Sequence, residues 1–331
     1  MPKVSVIIPV YNAEKYIEKC ARSLFEQTLD DIEYIFIDDC GRDQSIKILN
    51  GVLDDYPLRK TEVRILSNET NIGVGQSRQR GIDYATGDYL IHCDPDDWVD
   101  LDMYEIMYHT AIQENSDVVI CNYVREFDCG SEIIDQCYIK HKSEFLPQLI
   151  ENKFHMSLCN KLIKRELAQK ERIPIGVNLW EDLLAVFPIL LQSNKLGYIP
   201  RSLYHYRRDN CNSIIHNPHV SNTFSKILAI TQLGLVIHKY DLSGYISEYD
   251  LNVLKLKAKN TLLYYPSFHT INQWRTTFNE ANIQIHDKRI DVKYRIYSCL
   301  ALYRLDLILI IIITFNRLIS YFKLKICRNT K

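Results

Sequence analysis

Five short stretches of this chain hold residue types that can do chemistry. The densest is Asp94-Pro95-Asp96-Asp97-Trp98, which follows an apolar run at 89–93. Three carboxylates within four residues repel one another. They stay ionised together when a cation or hydrogen-bond donors sit among them. Mg2+ and Mn2+ suit that role, because hard cations prefer oxygen ligands and commonly bridge one or two carboxylates to a diphosphate. The competing reading is an acidic turn that caps a helix starting near Leu101.

The other four stretches are less specific singly. Asp38-Asp39 also follows an apolar run, and a carboxylate there can accept from a base N–H or a ribose hydroxyl, or cap a helix after Asp43. In Asn71-Ile-Gly-Val-Gly-Gln-Ser-Arg-Gln-Arg-Gly81 the glycines allow close backbone approach. Arg78 lies one turn into a helix there, placed to meet a base, a phosphate or a nearby Asp. Trp180-Glu181-Asp182 opens a helix whose amino end favours an ionised Asp182 able to act as a base; acidic residues also occur there for helix stability alone. Tyr204-His-Tyr-Arg-Arg-Asp-Asn-Cys-Asn-Ser213 supplies Arg207 and Arg208, which with His205 can close over a diphosphate leaving group. His205 reads equally well as a core histidine with satisfied nitrogens.

The elements that must position these groups alternate in kind. Segments 4–10, 32–37, 62–66, 89–93 and 117–121 read as strands; 13–27, 43–53, 75–85 and 101–113 read as helices. That order means βαβ units and a mostly parallel sheet flanked by helices, a Rossmann-like α/β fold. Ligands bind such sheets at the carboxyl ends of the strands, and Tyr11, Asp38-Asp39, Asn68 and the Asp94 cluster all fall there. Beyond about residue 125 the pattern loosens. Strands are expected at 158–163 and 196–206, a helix interrupted by Pro188 at 181–192, and a helical stretch over 220–264. The chain is therefore divided into a catalytic-type domain, 1–215, and a mainly helical C-terminal region, 216–331.

Composition narrows the class. The 331 residues are 47% hydrophobic and 24% charged, which excludes a wholly disordered, collagen-like or polytopic membrane protein. Lys and Arg total 40 against 41 Asp and Glu, a balance that argues against a nucleic-acid partner. The charge is uneven. Residues 288–331 hold ten Lys/Arg and two Asp, net +8, so the preceding 287 residues carry net −9. The ten cysteines form no CxxC pair and no zinc-spaced cluster, and the amino terminus reads as a strand rather than a secretion signal. Reduced, buried thiols and a cytoplasmic location are the expectation.

Together these pieces resemble the family 2 glycosyltransferases. The resemblance rests on Val4-Ser-Val-Ile-Ile-Pro-Val-Tyr-Asn12, Ile37-Asp-Asp-Cys-Gly-Arg-Asp-Gln-Ser45, the 71–81 stretch, Asp88-Tyr-Leu-Ile-His-Cys-Asp-Pro-Asp-Asp-Trp98 and Trp180-Glu-Asp182. It covers about 1–215. It implies a GT-A fold and a metal-dependent hexosyltransferase that inverts the anomeric centre, drawing on a UDP-sugar. By the same resemblance Pro9, Tyr11 and Asp39 line the uracil pocket with Arg78 nearby. Asp94 holds the ribose, Asp96 binds Mg2+ or Mn2+ and Asp182 is the general base. Arg207 and Arg208 are assigned to the diphosphate by their charge, not by the resemblance. Gly41, Ser77 and Gln79 depart from the serine, alanine and asparagine usual in the family, and the Gln79 departure touches the finer donor contacts.

Two other classes compete. A nucleotidyltransferase also uses paired aspartates, but it wants a glycine-rich basic loop after the first strand, and Pro9-Val-Tyr-Asn12 is not one. A non-catalytic nucleotide-sugar-binding protein would have no need of both Asp96 and Asp182. The expected acceptor is a saccharide or lipid-linked molecule of surface polysaccharide or glycolipid synthesis. The apolar run at 307–315 is well short of the roughly 20 residues that span a bilayer. With its basic flank it reads as a helix lying on an anionic membrane, peripheral on the inner face; a buried terminal strand or helix is the alternative.

Overall fold

A computed structural model describes the chain except for residues 137, 138, 140, 171, 178, 179, 209–219, 330 and 331, and the side chains of 220–223 and 320–329. The expected division at 215 and the 209–213 end of the basic motif lie outside the described residues.

The first half is the parallel sheet that the alternation predicts. Strands β1 (Val4–Val10), β2 (Ile32–Asp38), β3 (Val63–Ser67) and β4 (Tyr89–His92) pair in parallel in the order β3-β2-β1-β4. Strand β1 is buried along its whole length, as a strand covered on both faces must be. Its alternate side chains go to opposite cores. Val4, Val6 and Ile8 pack with Ile17, Cys20 and Leu24 of α1 (Ile17–Phe25), whereas Ile7 joins Ile37 and Ile82 of α3 (Val74–Tyr84). Gly81 makes the second packing feasible, since a Cβ there would run into Ile7 and Ile37. Helices α2 (Ser45–Asp54) and α4 (Met103–Glu114) complete this half.

Helix α1 is shorter than expected because residues 13–16 form a turn. The Ala13 N–H donates to Ser45 Oγ at 2.8 Å, and the Ala13 carbonyl accepts from the N–H groups of both Tyr16 and Ile17 at 2.9 Å.

The second half extends the sheet past β4 with β8 (Lys161–Lys164), β6 (Val118–Phe127), β9 (Leu196–Arg207) and the short β5 (Trp98–Val99). Strand β8 pairs antiparallel to both β4 and β6, and β6 pairs parallel to β9. A mostly exposed strand β7 (Gly130–Ile134) hangs on β6. Neither β5 nor β7 is foreseen from periodicity: one is two residues long and the other, Gly-Ser-Glu-Ile-Ile, does not alternate. Strand β8 begins later than the expected 158, because the preceding loop is stitched by side chains described below. The short helices α5 (Phe145–Ile150) and α6 (Arg165–Ala168) flank it, and α7 (Glu181–Gln192) keeps Pro188 inside.

The helical stretch expected over 220–264 is broken. Helix α8 (Val220–Lys239) ends at a turn where Asp241 takes φ 50°, and α9 (Glu248–Lys259) follows. Helices α10 (Phe268–Thr276), α11 (Val292–Leu302) and α12 (Asp306–Asn329) close the chain. Leu233, Val253, Trp274 and Leu309 belong to the same apolar cluster as Ile7 and Ile37, so these helices extend the core on one face of the sheet.

The cysteines divide. Cys20, Cys93 and Cys121 are buried free thiols, but Cys40 and Cys129 are exposed, against expectation, because both fall in turns at strand ends.

Candidate active site

The site forms where β1, β2 and β4 end. Asp94 leaves β4, and α3 runs alongside with Arg78 in its second turn. Helix α3 can start there because Gly73 takes φ 86°, a left-handed conformation that favours glycine. Asp39 fixes that start. Its Oδ1 accepts from the Ile72 N–H at 2.8 Å and from Asn68 Nδ2 at 2.8 Å, and its Oδ2 accepts from the Gly73 N–H at 2.9 Å.

Arg78 is the centre of the arrangement. Its guanidinium is almost fully buried and reaches three carboxylates from two distant parts of the chain. Nη2 donates to Asp94 Oδ1 at 2.8 Å, and Nη1 donates to Glu181 Oε1 and to Asp182 Oδ1, each at 2.7 Å. Asp94 and Asp182, far apart in sequence, therefore share one cation in one cleft. Burial alone would push both Glu181 and Asp182 up, and each repels the other sites. Arg78 pulls the other way. Glu181 ends at about 7, with desolvation and the neighbouring Asp182 as causes. Asp182 is also held above the ordinary carboxylate range, chiefly by desolvation, with Arg78 opposing. The Asp182 side chain is 28% exposed against 11% for Glu181, so Asp182 is the one open to the cleft.

The Asp94 cluster divides its labour. Asp97 is buried, accepting from Tyr204 Oη at 2.5 Å and from the Arg207 N–H at 2.8 Å. Burial and its two acidic neighbours hold it well above the ordinary carboxylate range. It anchors the loop to β9. Asp96 is half-buried, and its carbonyl accepts from Arg207 Nε at 3.0 Å. The Arg207 guanidinium lies about 5 Å from the ring centres of Tyr16 and Trp98.

The structure places the remaining expected residues as follows. Pro9 is buried in β1 opposite Ile37, and Tyr11, just past it, is half exposed. Arg208 lies at the end of β9, its N–H bonded to the Glu126 carbonyl and its guanidinium over Tyr206. His205 is the satisfied histidine of the two readings: Nδ1 meets Glu126 at 2.8 Å, Nε2 meets Asp100 at 2.9 Å, and the ring stacks on Trp98. With both nitrogens engaged it is not free for a diphosphate.

Sequence reasoning missed Lys161. Its ammonium is fully buried without a carboxylate partner, donating to the carbonyls of His155 and Ser157 and to Asn160 Oδ1 at 2.7–2.9 Å. Desolvation lowers it to about 8. These bonds hold the 155–160 loop, and the Lys161 charge opposes the upward push that burial gives Asp182. The available signal was a lone lysine in an inward strand position.

Asp96, with Asp94 beside it, supplies the oxygen donors that a divalent cation would take, and Asp94 Oδ1 already accepts from Arg78 Nη2. No group of three His, Cys, Asp or Glu side chains able to hold a metal occurs among the described residues. Such a sparse set fits a cation that shares its coordination sphere with a diphosphate, not an all-protein cage.

The model of the family 2 glycosyl transferases matches residues 5–172. The chain belongs to this family. It is 30% identical over 285 residues to EpsH of Bacillus subtilis (strain 168), covering 83% of this chain and 78% of that protein. The minor teichoic acid biosynthesis protein GgaB of the same organism is 27% identical over 207 residues, 61% of this chain and 23% of that protein. Among solved structures, S. aureus TarS 1–349 in complex with UDP-GlcNAc superposes with TM-score 0.65 at 17% identity, covering 93% of this chain and 89% of that one. The longer TarS chain is matched over 54% of its length. The likeness establishes the GT-A fold expected from the sequence, and the chain is a glycosyltransferase.

Proposed function

We propose that this glycosyltransferase moves a sugar from a UDP-sugar to an acceptor hydroxyl with inversion, Asp182 serving as general base. The observation that carries the proposal is the shared Arg78, which ties the Asp94 end of the nucleotide site to the Asp182 end of the acceptor site. The UDP-GlcNAc bound by TarS supports a UDP-sugar donor here. The teichoic acid role in the name of GgaB supports a saccharide or polymer-linked acceptor of the cell surface.

In the reaction the acceptor oxygen forms a bond to the anomeric carbon while the bond from that carbon to the diphosphate breaks, and UDP leaves with the electron pair. Asp182 takes the acceptor proton. Its desolvation makes it a better base than an ordinary aspartate, and Arg78 keeps it ionised and fixed. Pro9, Tyr11 and Asp39 border the base pocket, with Asp39 acting through the loop it braces. Asp94 faces the ribose. Arg207 and Arg208 lie on the diphosphate side, where they offset the charge of the departing nucleotide. Asp96 would hold Mg2+ or Mn2+, which when bound stabilises the charge that develops on the leaving diphosphate.

A panel of nucleotide sugars tests the reading. UDP-sugars with Mn2+ are expected to raise the melting temperature, since a ligand that binds only the native state stabilises it. The stabilising donor should also give UDP release with a saccharide acceptor. Stabilisation by GDP-sugars alone would overturn the donor assignment.

A further inference from the structure

Helix α12 presents an apolar face that no other described residue covers. Leu309 and Ile313, one turn apart, pack into the core, while Leu307, Ile308, Ile311, Phe315, Leu318 and Ile319 form a second stripe facing solvent. Leu307, Ile311 and Phe315 are 64%, 65% and 62% exposed, and Tyr303 at the preceding turn is 73% exposed. A helix apolar on both sides normally lies inside a protein or at an apolar boundary. No helix among the described residues is long and apolar enough to cross a membrane.

The charge around this face selects its partner. From 307 to 329 the sequence holds no acidic residue; beyond Phe322 it holds Lys323, Lys325 and Arg328, while Arg317 lies over the Tyr265 ring. A second copy would bring the same acid-free, basic segment and no complementary charge. A bilayer with anionic headgroups supplies both complements, an apolar boundary and negative charge. The body, net −9 over residues 1–287, is repelled by the same surface, so contact falls on the C-terminal helix. We infer that α12 docks the enzyme flat on an anionic bilayer through the Leu307–Ile311–Phe315 stripe.

The test is sedimentation of the full chain with vesicles, read without donor or acceptor, so its failure leaves the transfer reading untouched. Binding to vesicles of phosphatidylcholine with about 30% phosphatidylglycerol should exceed binding to pure phosphatidylcholine by about tenfold and fall in about 0.5 M salt. The double variant Ile311→Glu/Phe315→Glu, at exposed positions, should lose at least about tenfold in binding with its melting temperature unchanged. The triple variant Lys323→Gln/Lys325→Gln/Arg328→Gln should lose the preference for anionic lipid. Failure to sediment with either vesicle overturns the inference. So does light scattering that shows a dimer which the double glutamate variant converts to monomer.

Discussion

The cleft and the C-terminal helix treat charge and apolar surface in opposite ways. In the cleft, Arg78 is buried among Asp94, Glu181 and Asp182, and each of its contacts is under 3 Å. In α12 one stripe of apolar side chains lies in water and the basic residues outnumber the acidic ones. The ion pairs of the cleft are made within the chain, so Asp182 is positioned before substrate arrives. The helix is finished only by something outside the chain. Interactions that are internally satisfied should therefore be costly to break, whereas changes on α12 should leave folding and transfer to a soluble acceptor untouched.

The largest effect should come from Arg78→Met. Removing the cation leaves three carboxylates facing one another. Stability should drop by about 2–4 kcal/mol, discounted because Asp94 and Asp182 are a quarter exposed. Urea unfolding reads this, and a drop below about 0.5 kcal/mol would contradict the network. Chelation comes next. EDTA should cut turnover by at least about a hundredfold, with recovery on adding Mn2+, because loss of a Lewis acid costs several kcal/mol at the leaving group. Turnover indifferent to EDTA would remove Asp96 from its role.

Lys161→Met should cost less, about tenfold in turnover, since Lys161 does not touch Asp182 and acts on it by its charge at a distance. The diagnostic reading is the pH profile. Lys161 helps keep Asp182 ionised, so its loss should move the acid limb of kcat to higher pH. Lower turnover with an unmoved limb would make Lys161 a purely structural residue.

The last effect concerns Glu181→Gln. The folded carboxyl sits at about 7 against 4.5 for the free side chain, so the native state binds this proton more tightly than the unfolded chain. Native stability is therefore lost as pH rises from about 4.5 to 7, and the glutamine variant escapes that loss. Relative to the wild type it should gain about 2–3 kcal/mol between pH 5 and pH 8, read from melting temperatures. A constant difference across that window would argue against the shifted carboxyl.

Much of this was legible in the sequence, for definable reasons. The apolar runs of β1, β2 and β4 are continuous because those strands are covered on both faces, and each ends in polar residues that mark the cleft. The Trp180-Glu181-Asp182 motif announced an acidic helix start. The partners were not legible. Arg78 meets Asp182 across 104 positions, and nothing local separates that bond from one to a phosphate. His205 was ambiguous because its two carboxylates, Asp100 and Glu126, come from other elements. Strand β7 and the two-residue β5 exist only through pairing with β6 and β9, so periodicity has no hold on them.

The central claim is that Asp182, held by the cation that also holds Asp94, removes the acceptor proton. Asp182→Asn, assayed by UDP release alongside calorimetric titration with UDP, addresses it most directly. Turnover should fall by at least about a hundredfold while UDP affinity stays within about twofold of wild type. Near-normal turnover in that variant would contradict it.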